Sequence, residues 1–332
     1  MYYVYVLVSD VEDFYWEECY LSICSLLMHN EGASVIVLTD DLTKKTLESG
    51  YRRKIYEIAD VREVIFDSNI GKMQRSRLLK VGIREYISGK ILYLDTDTMI
   101  CSDLSEVKNI ECDIAMVLDH HEIISKNIAK RFYSLNEKLT GFPAGYEDKH
   151  FNSGVMYIND TQEVHDFFNK WKALYARGLS KGVRTDQASL NGLNCFCGGV
   201  IKELDGIWNV QLDYGLEYFN NAKIIHYFNH RLKDGPTKYN EGVPYELYET
   251  RLIKNFKKTG VLNPELKKLI ENPKRGIKNA RTVPIECDSY ILMGSYQYKI
   301  MKVIFRKFRT LFFFNEKIIE TFFVAFKKIR SS

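Results

Sequence analysis

Asp95 and Asp97 close an apolar run, Ile91-Leu92-Tyr93-Leu94, with only Thr96 between them. A short apolar run with an aromatic predicts a strand buried on both faces. In an extended chain residues i and i+2 point the same way, so the two carboxylates converge. Burying a carboxylate at a strand end is costly without a partner, and one shared divalent cation would satisfy both. Hard oxygen ligands suit Mn²⁺ or Mg²⁺, ions that keep positions open for water or phosphate oxygens. The competing reading is a strand-end turn in which both aspartates merely cap backbone amides, since Asp is common there.

Other residues invite chemistry. His226 ends an apolar run, AKIIHY, and reads either as a structural histidine or as a ligand. Asp119-His120-His121 follows DIAMVL. A His pair beside an Asp suggests metal, but consecutive side chains diverge, and a surface loop is the preferred reading. Phe151-Asn152-Ser153-Gly154-Val155 reads as a turn feeding a buried strand, and Gly154 marks a close approach of backbone or ligand. Thr185 or Asp186 can cap the helix that begins there. Cys195-Phe-Cys197 has no second Cys or His pair near it, so zinc is disfavoured.

The elements that must position these groups alternate. Strands are predicted at Tyr3–Ser9, Ser34–Thr39, Val61–Phe66 and Ile91–Leu94. Helices are predicted at Phe14–His29, Thr43–Tyr56 and Met73–Ile87, the last with Arg75 and Arg77 near its start. That order defines an α/β domain with a mainly parallel sheet, whose ligands sit beyond the carboxyl ends of the strands. Asp10, Asp40 and the Asp95/Asp97 pair fall there. Residues 126–150 read as a polar loop over the site. Residues 261–295 read as a linker because they hold half of the chain's six prolines among Lys/Arg-rich spacers. The predicted organisation is a catalytic domain over 1–260, that linker, and a basic aromatic helical tail over 296–332.

Composition narrows the class. The chain has 332 residues, 45% hydrophobic and 27% charged, which is ordinary for a globular protein. Seven cysteines without regular spacing favour a reducing compartment over a disulfide framework. The opening MYYVYVLVSDVEDFYW turns acidic early and reads as a strand, not a signal peptide. No apolar run reaches the length of a membrane span. The net charge of +4 hides an asymmetry: residues 296–332 hold nine Lys/Arg against two Glu, so the tail is +7 and the rest −3. An acidic body and long apolar runs in the tail argue against nucleic acid as a partner. Apolar residues interleaved with Lys/Arg instead predict an amphipathic anchor on an anionic membrane surface, or packing on the body or a second protomer.

Taken in order, the motifs resemble those of glycosyltransferase family 8, which includes glycogenin and bacterial lipopolysaccharide galactosyl- and glucosyltransferases. The resemblance covers roughly residues 3–240. It rests on the Arg77-Leu-Leu helix, Tyr93-Leu94-Asp95-Thr96-Asp97, Phe151-Asn152-Ser153-Gly154-Val155, Asp186-Gln187 with Leu190-Asn191, Trp208-Asn209 and Ile225-His226-Tyr227. It implies a GT-A nucleotide-diphospho-sugar transferase fold, a UDP-sugar donor, Mn²⁺ (or Mg²⁺) and retention of anomeric configuration. By the same resemblance Asp95, Asp97 and His226 would hold the metal. Arg77 would approach the donor sugar or a phosphate, and Asn152, Asp186 and Gln187 would face the sugar hydroxyls. Val8 and Asp10 would contact uracil and ribose.

Two departures stand out. Family members often carry a Lys/Gly loop and a tryptophan soon after the metal-binding histidine. Here Arg231 and Lys233 could do the charge work, but there is no tryptophan. At the first strand a pair of acids is replaced by Ser9-Asp10. The expected reaction moves a hexose to a glycan or lipid-linked glycan acceptor such as lipopolysaccharide or capsule, in a cytoplasmic enzyme peripheral to the inner face of the membrane. The rivals are a haloacid-dehalogenase-like phosphatase, which wants Thr or Val where Met99 stands, and a non-catalytic sugar-nucleotide-binding domain.

Overall fold

In β1 (Tyr2–Leu7) Tyr3, Tyr5 and Leu7 are buried on one face, while Val4, Val6 and the following Val8 are buried on the other. A strand apolar on both faces needs a covering layer on each side. The chain supplies them in alternation: α1 (Tyr15–His29), β2 (Val35–Asp40), α2 (Asp41–Leu47), β3 (Asp60–Val64), α3 (Lys72–Val81), a short α4 (Ile83–Tyr86) and β4 (Ile91–Leu94). Then come β5 (Thr98–Ile100), β6 (Ile114–Leu118), α5 (Lys130–Thr140), β7 (Phe151–Ile158), α6 (Gln162–Ser180), α7 (Asp186–Phe196), β8 (Ile201–Glu203), β9 (Val210–Gln211) and β10 (Ile224–His226). The computed structural model describes residues 1–211, 214, 216–227, 250–278, 281–284 and 296–330.

The main sheet has seven strands in the order β3-β2-β1-β4-β7-β6-β8. Every pairing is parallel except the two made by β7. One core layer is built around α1; the other packs α3, α6 and α7 against the sheet. α6 shows the driving force. Thr161 caps its start by accepting from the Val164 amide, and Val164, Phe167, Phe168, Trp171, Leu174 and Tyr175 form one buried stripe. Each such side chain contributes roughly 1.5–3 kcal/mol of burial.

A second sheet of three strands, β5-β10-β9, decides the site. β5 leaves the Asp95–Asp97 turn directly, and β10 runs antiparallel to it with His226 opposite Thr98. The Tyr227 amide donates to the Asp97 carbonyl at 2.9 Å. A distant histidine is thereby set beside the aspartate turn by backbone pairing alone.

Three expectations are corrected. The described residues within 261–295 are not a plain linker: α8 (Thr250–Thr259) is followed by α9 (Pro264–Glu271), whose Leu266, Leu269 and Ile270 lie in the core beneath α1. Asn263 caps α9, Pro264 suits its first turn, and the i, i+3, i+4 apolar spacing drives it inward. β11 (Arg275–Lys278) and β12 (Arg281–Pro284) then pair as an antiparallel ribbon. Residues 126–150 contain α5, and the predicted helix at Thr43–Tyr56 splits into α2 and a 3₁₀ turn, Gly50–Glu57. The tail forms α10 (Tyr296–Lys307) and α11 (Arg309–Arg330), with Phe305 meeting Phe312 edge-on at 5.0 Å between ring centres.

Candidate active site

The carboxyl ends of β1 and β4, the start of β7 and the first turns of α3 and α7 enclose a cleft of about 630 Å³. Val8, Arg77, Asp95, Asp97, Asn152, Asp186, Gln187 and His226 all line it. Asp10 does not. It is exposed at the rim, where Lys72 Nζ lies 2.6 Å from its carboxylate and also reaches Asp13. Asp40 is spent on structure, capping α2 through the Thr43 amide and pairing with Arg75. Arg231 and Lys233 lie outside the described residues.

Asp95, Asp97 and His226 each offer one ligand atom, all within 4.8 Å of one another. Among the described residues no other such group of acids, His and Cys occurs. His226 Nε2 is 3.2 Å from Asp97 Oδ1 and 3.9 Å from Asp95 Oδ2. The other oxygen of Asp95 is engaged: the Tyr93 hydroxyl donates to Oδ1 at 2.6 Å, and Lys80 Nζ donates at 3.1 Å. Burial raises the Tyr93 pKa far above the ordinary value, and Asp95 adds to it, so the phenol stays a donor. Burial alone would lower the His226 pKa. Asp97 and Asp95 outweigh it and raise it.

The orientation of His226 is set by a relay of buried groups. Asp119 is a buried carboxylate, and its pKa stays low despite burial because His120, His150, Tyr133 and Asn152 favour the charged form. A carboxylate only accepts. It takes the Tyr133 hydroxyl on Oδ2 at 2.5 Å and the Asn152 amide nitrogen on Oδ1 at 2.8 Å. Asn152 must then turn its oxygen the other way, where it accepts from Asn209 Nδ2 and the Gly154 amide, each at 2.9 Å. Asn209 in turn presents its oxygen to His226 Nδ1 at 3.0 Å. Nδ1 therefore carries a proton, which leaves Nε2, facing the two aspartates, as the nitrogen whose lone pair a metal would take in exchange for a proton.

Gly154 makes room for this. A Cβ there would lie 2.2 Å from His226 Cε1. The predicted close approach at Gly154 is thus an imidazole ring against the backbone of β7. Two carboxylates, an oriented imidazole and a fitted cradle match a divalent cation of the Mn²⁺ or Mg²⁺ type. Asp119→Asn removes the charge that directs the relay while keeping the shape. Metal affinity is expected to fall about 10- to 100-fold, read by titration calorimetry with Mn²⁺.

On the opposite wall Asp186 is buried with both oxygens taken. Arg77 Nε lies 3.1 Å from Oδ1; Ser153 Oγ donates to Oδ2 at 2.8 Å, with Lys80 Nζ at 3.5 Å. Burial would raise its pKa, but Lys80 and Arg77 hold it well below the usual carboxylate range. Lys80 therefore bridges Asp95 and Asp186, and it is almost fully buried. It is not among the residues that the motifs single out. A lysine within Leu78-Leu79-Lys80-Val81, one turn beyond Arg77, was the available signal, since i and i+3 share a helix face.

Asp119-His120-His121 is a 3₁₀ turn packed on β9 rather than a surface loop, with Asp119 buried and both histidines half-buried. Both histidines have φ of 55°, and His121 Nε2 accepts the Gln211 amide at 3.0 Å. Burial pushes the His121 pKa down to about 4, so it is neutral at pH 7.

The sheet order and the aspartate turn at the end of β4 define a GT-A nucleotide-diphospho-sugar transferase fold. A sequence model described as "Glycosyl transferase family 8" matches residues 6–238, and the chain belongs to that family of glycosyltransferases. No curated protein matches it. Galactosyltransferase LgtC, solved in complex with donor and acceptor sugar analogs, is 15% identical with a TM-score of 0.52, over 81% of this chain and 99% of that one. An active-site mutant of LgtC aligns at 17% identity and a TM-score of 0.50, over 73% of this chain and 93% of that one. The apo form of mouse xyloside xylosyltransferase 1 is 15% identical with a TM-score of 0.47, over 69% of this chain and 98% of that one.

Proposed function

We propose that this glycosyltransferase moves a hexose, glucose or galactose, from a UDP-sugar to a cell-surface glycan such as lipopolysaccharide or capsule, with retention of configuration. The observation that carries the reading is the convergence of Asp95, Asp97 and His226 on one point of a cleft whose far wall is Arg77, Asp186 and Gln187. The three ligands would hold Mn²⁺ or Mg²⁺, which when bound stabilises the negative charge that develops on the departing diphosphate. Arg77 supplies a fixed positive charge beside the sugar. Gln187 offers both a donor and an acceptor to its hydroxyls. Val8 gives the base an apolar edge. Asp10, on the rim, reaches the ribose only by leaving Lys72.

Retention follows by a front-face route, in which the leaving phosphate takes the acceptor proton. A double displacement needs a free carboxylate at the anomeric carbon, and Asp186 has none of its oxygens free. Asp186→Asn is therefore expected to keep turnover within about 100-fold, the scale of a lost electrostatic contact. A lost nucleophile would cost on the order of 10⁴ or more. The same variant leaves Lys80 buried beside one partner fewer, and denaturant unfolding should show a loss of about 3 kcal/mol.

The tail would hold the enzyme at an anionic membrane from the cytoplasmic side. Phe308, Phe313, Phe314 and Phe322 are exposed among its Lys and Arg residues. No helix among the described residues is long and apolar enough to cross a membrane. Phe313→Asp with Phe314→Asp in the full chain should weaken flotation on anionic vesicles; equal flotation would sink the anchor.

The deciding experiment incubates the chain with Mn²⁺ and a panel of UDP- and GDP-sugars, with and without simple glycosides as acceptors, and reads nucleotide release. Release from one UDP-hexose supports the reading. Mn²⁺-dependent UDP binding with no release from any donor and acceptor would favour a binding domain instead.

A further inference from the structure

α5 carries its amphipathicity reversed. Its inward face presents Tyr133, Asn136 and Thr140, all buried. It is held there by polar contacts, chiefly the Tyr133 hydroxyl on Asp119. Its outward face is apolar. Ile128, in the turn before the helix, Phe132, Leu135 and Leu139 are 71%, 49%, 53% and 49% exposed. Their spacings of four, three and four residues form one stripe along a helix. Scattered exposed apolar residues are ordinary; a contiguous stripe of four marks an interaction surface.

Charge indicates what covers it. Lys126, Lys130, Arg131 and Lys138 are exposed around the stripe, and Glu137 is the sole acid between 126 and 140, so this segment is +3. Residues 1–295 sum to −3. Basic side chains thus border the stripe on a body whose overall charge is negative. Area argues against a second copy. Four half-exposed side chains of at most roughly 200 Å² each fall well below the ~800 Å² per partner of a stable interface. An apolar stripe with a basic rim instead matches a helix lying in the plane of an anionic bilayer.

We propose that α5 is a membrane-contact helix of the catalytic body, with Phe132, Leu135 and Leu139 entering the interface of an anionic bilayer and Lys130, Arg131 and Lys138 on its headgroups. This contact is separate from the tail and depends on neither the donor nor the reaction. The face opposite the stripe reaches Asp119 through Tyr133, so the contact would sit on the far side of α5 from the relay that orients His226.

The test uses the full chain carrying Leu135→Trp. Trp16, Trp171 and Trp208 are all buried, so the introduced indole dominates any response to quenchers. Vesicles of phosphatidylglycerol with brominated acyl chains should quench at least half of that indole's emission, and phosphatidylcholine vesicles should not. In parallel, Phe132→Ser/Leu135→Ser/Leu139→Ser in the full chain should lower partition onto phosphatidylglycerol at least tenfold, with circular dichroism unchanged. A chain that binds vesicles without indole quenching would overturn the proposal, since the tail alone would be holding it. So would an indole shielded from acrylamide without lipid, whether another part of this chain covers it or a dimer that the triple variant dissolves.

Discussion

Asp97→Ala is expected to abolish metal-dependent nucleotide release, by on the order of 10³-fold or more. Asp97 makes the shortest approach to His226, 3.2 Å, and its carboxylate faces the cleft. Asp95 cannot replace it. One oxygen of Asp95 already serves Tyr93 and Lys80, leaving the other as its single contribution. Removing Asp97 therefore leaves one oxygen and one nitrogen, too few for a hard divalent ion in competition with water. The fold should survive, because Asp97 is partly exposed and its carbonyl, which receives the Tyr227 amide, is untouched. Calorimetry should show no Mn²⁺ binding while thermal unfolding stays within a few degrees of wild type. Turnover within tenfold of wild type would place the metal elsewhere.

The second large effect comes from adding one methyl group. In Gly154→Ala the new Cβ would stand 2.2 Å from His226 Cε1, 2.7 Å from Nδ1 and 2.9 Å from Asn152 Oδ1. None of these atoms is the loose end of a flexible chain. His226 is fixed by β5 and β9 on either side of β10, and its ring by Asn209. The ring must turn, losing Nδ1–Asn209 and swinging Nε2 off the aspartates. Mn²⁺ affinity should drop at least about 100-fold, or roughly 2.7 kcal/mol. Overpacking should cost a further 1–3 kcal/mol or so of stability. A double-mutant cycle separates the two: His226→Ala in the Gly154→Ala background should recover stability but not metal binding. Affinity within threefold of wild type would show that the cradle is not tight.

How much of this was legible follows from how local each signal is. The Asp95/Asp97 pair is written in consecutive residues at the end of an apolar run, and the strand–helix alternation that builds the parallel sheet is equally local. His226 was readable only with the help of family resemblance, because its partners meet it through the β5–β10 pairing of distant segments. Lys80 was hidden because a buried lysine looks like a solvated one until its two carboxylates are seen. α5 escaped because periodicity arguments assume that the apolar face turns inward, and here it turns out. α9 escaped because its proline and lysines resemble a linker, although its three inward residues obey the ordinary helical spacing. The roles of Asn209 and Asp119 had no signal short of three-dimensional proximity.

The relay from Asp119 through Asn152 and Asn209 to His226 also constrains how descendants of this gene can diverge. Each amide in it has one acceptor end and one donor end, and the charge at Asp119 decides which way both must face. A change of Asn209 to Asp sets oxygen against oxygen at Asn152, and a change of Asn152 to Leu strands three polar partners at once: Asp119, Asn209 and the Gly154 amide. A single substitution is then deleterious even where a compatible pair or triple exists. The four positions should drift as a block, by rare concerted replacement.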